Sequence, residues 1–79
     1  MLLLMLILAG ELQHNEAMIV IKTVAGTAAL VADFFDAQSD IGILATLSGE
    51  NVVFVAPVSV KNIETLFHAV QQRISGLKA

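Results

Sequence analysis

Two short apolar runs on either side of a polar turn restrict the fold more than any other part of the chain. The runs are "ILATL" at 43–47 and "VVFVA" at 52–56, and "SGEN" lies between them. Each run is too short for a stable helix but has the length and side chains of a strand. Ser, Gly and Asn are common turn residues, so the segment predicts a β-hairpin with Gly49 in the left-handed conformation.

A second hairpin and a helix are predicted before this one. Segments 2–12 and 17–24 are apolar and are joined by "QHNE", where Asn15 tolerates a left-handed backbone. The following segment, "GTAALVADFFDA", has helical spacing. Gly26 marks its entry, and Thr27 is placed to accept hydrogen bonds from the first free amides. This helix is expected to end shortly before "SDIG".

A final helix completes the predicted order ββαββα. Pro57 ends the fourth strand because proline cannot donate a ladder hydrogen bond. Apolar residues then recur at three- and four-residue intervals, with Ser59 as the N-cap and Gly76 past the end. The order predicts a single α+β domain over residues 1–79, with a four-stranded, mainly antiparallel sheet and two helices on one of its faces.

The apolar content is higher than one small domain needs. Apolar residues make up 57% of the chain, whereas globular domains contain roughly 45–50% and small ones have the least interior. The first strand, "LLLMLIL", is apolar on both faces. With helices on only one face of the sheet, we expect another subunit to cover the second face.

Charge and residue types exclude several functions. The chain has no cysteine, and His14 and His68 lie far apart in sequence, so a metal site is not expected. Four basic residues against seven acidic ones do not form the basic patch that DNA binding requires. Neither a glycine-rich phosphate loop nor a nucleophile–histidine arrangement is visible. We expect no enzyme activity and no DNA binding by this chain alone.

The apolar start of the chain allows one alternative. Residues 1–9 are apolar, but they fall well short of the roughly 20 residues that span a bilayer. Their length fits the core of a signal peptide, although no positive charge precedes them. A buried strand is the preferred interpretation, and a small secreted or membrane-associated protein is the alternative.

The first helix is amphipathic and carries two aspartates on its polar side. A helical wheel places one group toward the core, namely Thr27, Leu30, Val31, Phe34 and Phe35. Ala29, Asp33 and Asp36 fall on the opposite side. Both carboxylates can be explained as solvated surface groups, and Asp36 can also be explained as a ligand of a bound molecule.

Three segments follow one another over most of the chain: "NEAMIVIKTVAGTAALVADFFD", "GILATLSGENVVFVAP" and "VKNIETLFHAVQQRI". Together they resemble the C-terminal domain of bacterial arginine repressors. That family has a strand ending in K-T or H-T, a helix start P-G-x-A-x-x-[IV], a late aspartate in that helix, and G-[TI]-x-x-G-D-D before an apolar strand. The matching residues are Lys22, Thr23, Gly26, Ala28, Asp36, Gly42, Thr46 and Gly49.

The resemblance implies a cytoplasmic regulatory domain of arginine metabolism. Such domains form trimers that pair into hexamers, and they bind L-arginine as a co-repressor where the trimers meet. They need no other cofactor. DNA is read by a separate N-terminal winged-helix domain, which this chain does not contain.

The same resemblance implies the ligand residues. Asp36, Glu50, Asn51, Ala29 and Thr46 occupy the family's ligand-facing positions. A carboxylate is the natural partner of a guanidinium. Here Glu50 and Asn51 replace an aspartate pair, and Ala29 replaces a glutamine. The chain is therefore expected either to bind L-arginine or to contribute assembly alone, including mixed oligomers with a paralogous repressor subunit.

Overall fold

The chain folds into one antiparallel sheet with helices on one face. A computed structural model describes the backbone of residues 7–76 and the side chains of residues 12–74. The strands are β1 (Ile7–His14), β2 (Ile19–Thr23), β3 (Ile43–Ser48) and β4 (Val52–Pro57), and the helices are α1 (Ala28–Asp36) and α2 (Ile63–Gly76), the latter preceded by a 3₁₀ turn at Val60–Asn62. The sheet order is β1-β2-β4-β3, with every pair antiparallel. The predicted α+β class and ββαββα order are confirmed.

Neither hairpin turn uses a left-handed residue, so the predicted left-handed conformation of Gly49 is wrong. The glycines with positive φ are Gly26 (83°) and Gly42 (98°), and Gly49 and Asn15 are not among the residues with positive φ. At the β3–β4 turn, Gly49 is favoured by close packing, because a Cβ atom there would lie 3.2 Å from Cγ1 of Val52. At the β1–β2 turn, the Asn15 side chain closes the loop by accepting hydrogen bonds from two following backbone amides.

The two helix starts use different caps. Thr27 precedes α1, but its hydroxyl donates to the carbonyl oxygen of Val24 at 2.6 Å and does not accept from the helix, so its predicted capping role is wrong. A threonine hydroxyl can do either, and the turn before α1 offers it a carbonyl. The predicted cap at Ser59 is confirmed, since its hydroxyl accepts from the amide of Lys61. Gly76 is the last residue of α2 and does not lie beyond it.

The core lies between the sheet and the helices. Alternate residues of β2 and β4 point into it and meet one stripe of each helix. Its buried members are Ile19, Ile21, Ala28, Val31, Ala32, Phe35, Val53, Val55, Ile63, Leu66, Val70 and Ile74. Leu30 was expected among them but is 55% exposed. It lies about 200° around α1 from Ala28, so it points away from the sheet.

The other face of the sheet is apolar and exposed. Cross-strand partners share a face, and one row on this side runs from Val20 through Phe54 to Leu47. Leu47 is 69% exposed and Phe54 is 39% exposed. We call this the outer sheet face, and its remaining members are Gln13, Lys22, Ala45, Val52 and Ala56. The doubly apolar segment of the first strand lies largely outside the described residues, but the described strands show the same apolar second face.

Candidate functional site

Asp36 and Thr46 form a hydrogen-bonded pair beside β3. The Thr46 hydroxyl donates to Oδ1 of Asp36 at 2.6 Å, across ten residues of sequence. Asp36 is the exposed last residue of α1, and Thr46 is a half-buried residue of β3, which is an edge strand. An ionised carboxylate accepts hydrogen bonds at both oxygens. Asp36 therefore keeps acceptor capacity that can be offered to a cationic group.

Ala29 lies on the same side of α1 as Asp36. The two residues are separated by seven positions, which is close to two helical turns and about 10 Å along the axis. Ala29 is exposed and has no polar side chain. Ala29, a predicted ligand residue, therefore lies on the same surface of α1 as Asp36. It offers a ligand only van der Waals contact.

Glu50 and Asn51 lie at the β3–β4 turn, near the start of α1. Their backbone carbonyls accept hydrogen bonds from Gly26 at 2.9 Å and from Thr23 at 2.8 Å. Both side chains are exposed, and neither forms a hydrogen bond with the part of the chain that the structure describes. The turn is thus held firmly by its backbone, and its side chains are free to contact a ligand.

The five predicted residues form two groups and not one closed pocket. Asp36 and Thr46 are in direct contact at the last residue of α1. Ala29 lies in the first turn of α1, at the end of the helix where Glu50 and Asn51 are held. The helix separates the groups by about 10 Å. A ligand on this surface would remain open to solvent in a single copy of the chain.

A cluster of polar side chains beside this surface could not be predicted from the sequence. Arg73 on α2 bonds to Gln38 and Asp40 in the loop that follows Asp36, and its Nη2 lies 2.7 Å from Oδ2 of Asp40. The hydrogen bond from Arg73 lowers the pKa of Asp40 below its usual value of 3.8. A lowered folded-state pKa means that the pair is kept at neutral pH and lost only when the pH falls through that lowered value. Helical periodicity predicts Arg73 to be a surface residue and cannot show what it contacts.

His14 belongs to a different region. Its ring centre lies 4.4 Å from that of Phe67. A cavity of about 350 Å³ separates the β1–β2 turn from the start of α2, and its lining residues are His14, Asn15, Glu16, Val60, Ile63 and Glu64. None of the five predicted ligand residues lines this cavity. Within residues 7–76, no group of three or more His, Cys, Asp or Glu side chains is placed to hold a metal ion.

The sequence model of the family "Arginine repressor, C-terminal domain" matches residues 8–72. That match covers well over half of the 79 residues. The chain belongs to this family. The resemblance drawn from the three sequence segments is thereby confirmed.

Individual arginine repressors show the same relationship. The arginine repressor of Prosthecochloris aestuarii is 44% identical over 65 residues, which are 82% of this chain and 44% of that protein. The arginine repressor of Colwellia psychrerythraea is 39% identical over 67 residues, covering 82% and 42% of the two chains. That of Chlorobium limicola is 41% identical over 65 residues. This arginine repressor domain spans less than half the length of the curated relatives it matches.

Family membership also bears on the alternative of a secreted or membrane-associated protein. In the part of the arginine repressor domain that the structure describes, no helix combines the length and the apolar character needed to cross a membrane. The related proteins are named as repressors. The comparisons give the secreted or membrane-associated alternative no support.

Proposed function

We propose that the chain is the assembly and L-arginine-sensing domain of a transcriptional regulator of arginine metabolism. The observation that carries the proposal is the exposed Asp36 carboxylate, oriented by Thr46 at the edge strand of an arginine repressor C-terminal domain. A planar guanidinium pairs with a carboxylate through two parallel hydrogen bonds. In this proposal Asp36 binds a positively charged group of L-arginine, and Thr46 fixes the direction of the carboxylate.

The remaining contacts come from the turn and from a neighbouring subunit. Glu50 keeps a negative charge at the turn, and Asn51 offers an amide that both donates and accepts. The open arrangement in one copy favours a site that a second copy completes. The apolar outer sheet face supplies a reason for the copies to associate, because exposed apolar patches are buried at subunit interfaces. We therefore propose a homo-oligomer, built from trimers that pair into hexamers.

Coupling between ligand and assembly follows from such a site. A ligand that binds only the assembled form stabilises that form by mass action. The proposal assigns DNA recognition to the portion of the related repressors that this chain does not cover, since the net charge of −3 does not favour binding to phosphate. No step of the proposed role is catalytic.

A second candidate is a domain that assembles without sensing arginine. Ala29 provides no hydrogen bond, and Asn51 provides no charge, at two positions that face the proposed ligand. Charge-assisted hydrogen bonds contribute roughly 1.5–3 kcal/mol each, so these two residues can decide whether arginine binds at all. Such a domain would assemble alone or with a paralogous repressor subunit.

Titration calorimetry with L-arginine and with citrulline separates the two candidates. Citrulline matches arginine in shape but carries a neutral urea group in place of the guanidinium. We expect heat and a saturating isotherm with L-arginine at about 1 mM ligand or below, and at least tenfold weaker binding of citrulline. Equal binding of the two compounds would contradict recognition of the guanidinium by carboxylates. An absence of heat with both would favour the domain that only assembles.

A further inference from the structure

The loop at residues 37–42 is tied to α2 by one side chain. Arg73 donates through Nη1 to Oε1 of Gln38 and through Nη2 to Oδ2 of Asp40, the latter at 2.7 Å. These contacts span 35 and 33 residues of sequence, so they connect parts of the chain that only tertiary folding brings together. A guanidinium is planar and holds two acceptors in a fixed relative position. The two partners therefore restrain the loop more than a single contact would.

The same loop connects the two members of the Asp36–Thr46 pair in the proposed ligand site. It leaves α1 directly after Asp36 and enters β3 at Ile43, three residues before Thr46. Its far end is held by a hydrogen bond from the Val58 amide to the carbonyl of Gly42 at 2.9 Å. With both ends restrained, the loop conformation sets how the last turn of α1 lies against β3. The distance between Asp36 and Thr46 depends on that placement.

We propose that Arg73 is a positioning residue for the ligand site, holding loop 37–42 so that Asp36 stays within hydrogen-bonding distance of Thr46. The inference rests on the proposed function, because it gives this geometry the task of binding L-arginine. Arg73 acts through the loop and does not touch the ligand. Without it, the Asp36 carboxylate samples several positions, and ordering it again reduces the affinity for the ligand.

If only net charge mattered, removing Arg73 would strengthen binding of L-arginine, whereas loss of positioning weakens it. Replacing Arg73 with glutamine removes one positive charge and changes the net charge from −3 to −4. A more negative chain attracts a cationic ligand more strongly. If Arg73 had no positioning role, the variant would bind L-arginine as well as the wild type or slightly better. Loss of positioning instead weakens binding.

The experiment compares Arg73→Gln with Lys61→Gln and Arg73→Lys. Lys61 is an exposed basic residue that forms no ion pair with the described residues, so its replacement reproduces the charge change alone. We expect Arg73→Gln to raise the dissociation constant for L-arginine about threefold to fivefold. This change in affinity corresponds to the small free energy of one exposed ion pair, which here holds the loop in its binding conformation. Lys61→Gln should leave the constant unchanged or slightly lower. Arg73→Lys should fall between, since lysine keeps the charge but loses the planar fork.

Amide hydrogen exchange in the absence of ligand independently measures whether Arg73 restrains loop 37–42. Exchange at residues 37–42 should be faster in Arg73→Gln than in Lys61→Gln, and exchange in the core strands should be equal in both. Equal exchange at 37–42 would overturn the inference, as would equal arginine affinity of the two variants. If the wild type binds no arginine, the proposed function fails, and the exchange result alone then decides whether Arg73 orders the loop beside Asp36.

Discussion

Replacing Leu47 with aspartate is expected to convert the assembled protein into folded monomers. Leu47 is 69% exposed in the single chain, at the edge of the apolar outer sheet face, so the monomer tolerates a charge there. In an interface that buries this face, the carboxylate would be left without a partner. An unpaired buried charge costs about 3 kcal/mol or more, which raises the dissociation constant of the assembly at least a hundredfold.

Sedimentation velocity and circular dichroism together measure this effect. Thr65→Asp is the matched control, because Thr65 is exposed on α2 and its replacement adds the same charge away from the outer sheet face. The control should sediment like the wild type. An oligomeric Leu47→Asp variant would show that another surface holds the copies together. A variant that has lost its secondary structure is replaced by Leu47→Ser, which removes the apolar contact without adding charge.

The second large effect is expected from Asp36→Asn. The amide has nearly the shape of the carboxylate and can still accept from Thr46, but it cannot pair ionically with a guanidinium or an ammonium group. Losing a charge-assisted interaction of roughly 1.5–3 kcal/mol corresponds to a rise in the dissociation constant for L-arginine of about tenfold to a hundredfold. Because Asp36 is exposed, we expect little change in the free energy of unfolding.

Asp33→Asn provides the matched control for this prediction. Asp33 is exposed on the same helix and forms no side-chain hydrogen bond with the described residues. Its replacement changes the net charge equally, so a general electrostatic contribution to ligand affinity appears in both variants. Calorimetry should show a much larger loss for Asp36→Asn. Equal losses in the two variants would mean that Asp36 has no specific contact with the ligand.

Local sequence rules predicted the elements of this fold better than the conformations of single residues. The β3–β4 hairpin was predicted from "LSGENVVF", but Gly49 was wrongly placed in the left-handed region. Composition identifies a turn, whereas the residue that adopts positive φ depends on how the turn packs. Leu30 was expected in the core because it falls on the same side of the helical wheel as Val31, Phe34 and Phe35. The sheet instead meets the stripe that contains Ala28 and Phe35.

The helical wheel offered Asp36 as one possible ligand residue, and only the family resemblance named the full set of candidate ligand residues. Asp36 and Thr46 were both named from that resemblance, but the hydrogen bond between them depends on how α1 lies against β3. Asp36 and Asp33 lie on the same polar side of the helical wheel. Periodicity therefore cannot show which of the two carboxylates binds a ligand and which is only solvated. Arg73 could not be found from the sequence, because its partners lie more than thirty positions away.

The turn residues Glu50 and Asn51 differ from the family pattern, as Ala29 does. Their backbone is fixed against the segment between β2 and α1, so the turn itself is well placed. Only their side chains differ from the aspartate pair of the family. The proposed assembly relies on the outer sheet face, so it does not depend on whether these two side chains support ligand binding.

The most direct test of an arginine-sensing assembly domain is sedimentation of the wild-type chain with and without saturating L-arginine. If the ligand binds between copies, L-arginine must shift the distribution toward the larger assembly, and citrulline must need at least tenfold higher concentration for the same shift. The expected result is a trimer–hexamer equilibrium displaced toward hexamer by L-arginine. An identical distribution with and without L-arginine at several protein concentrations would contradict the proposed sensing role.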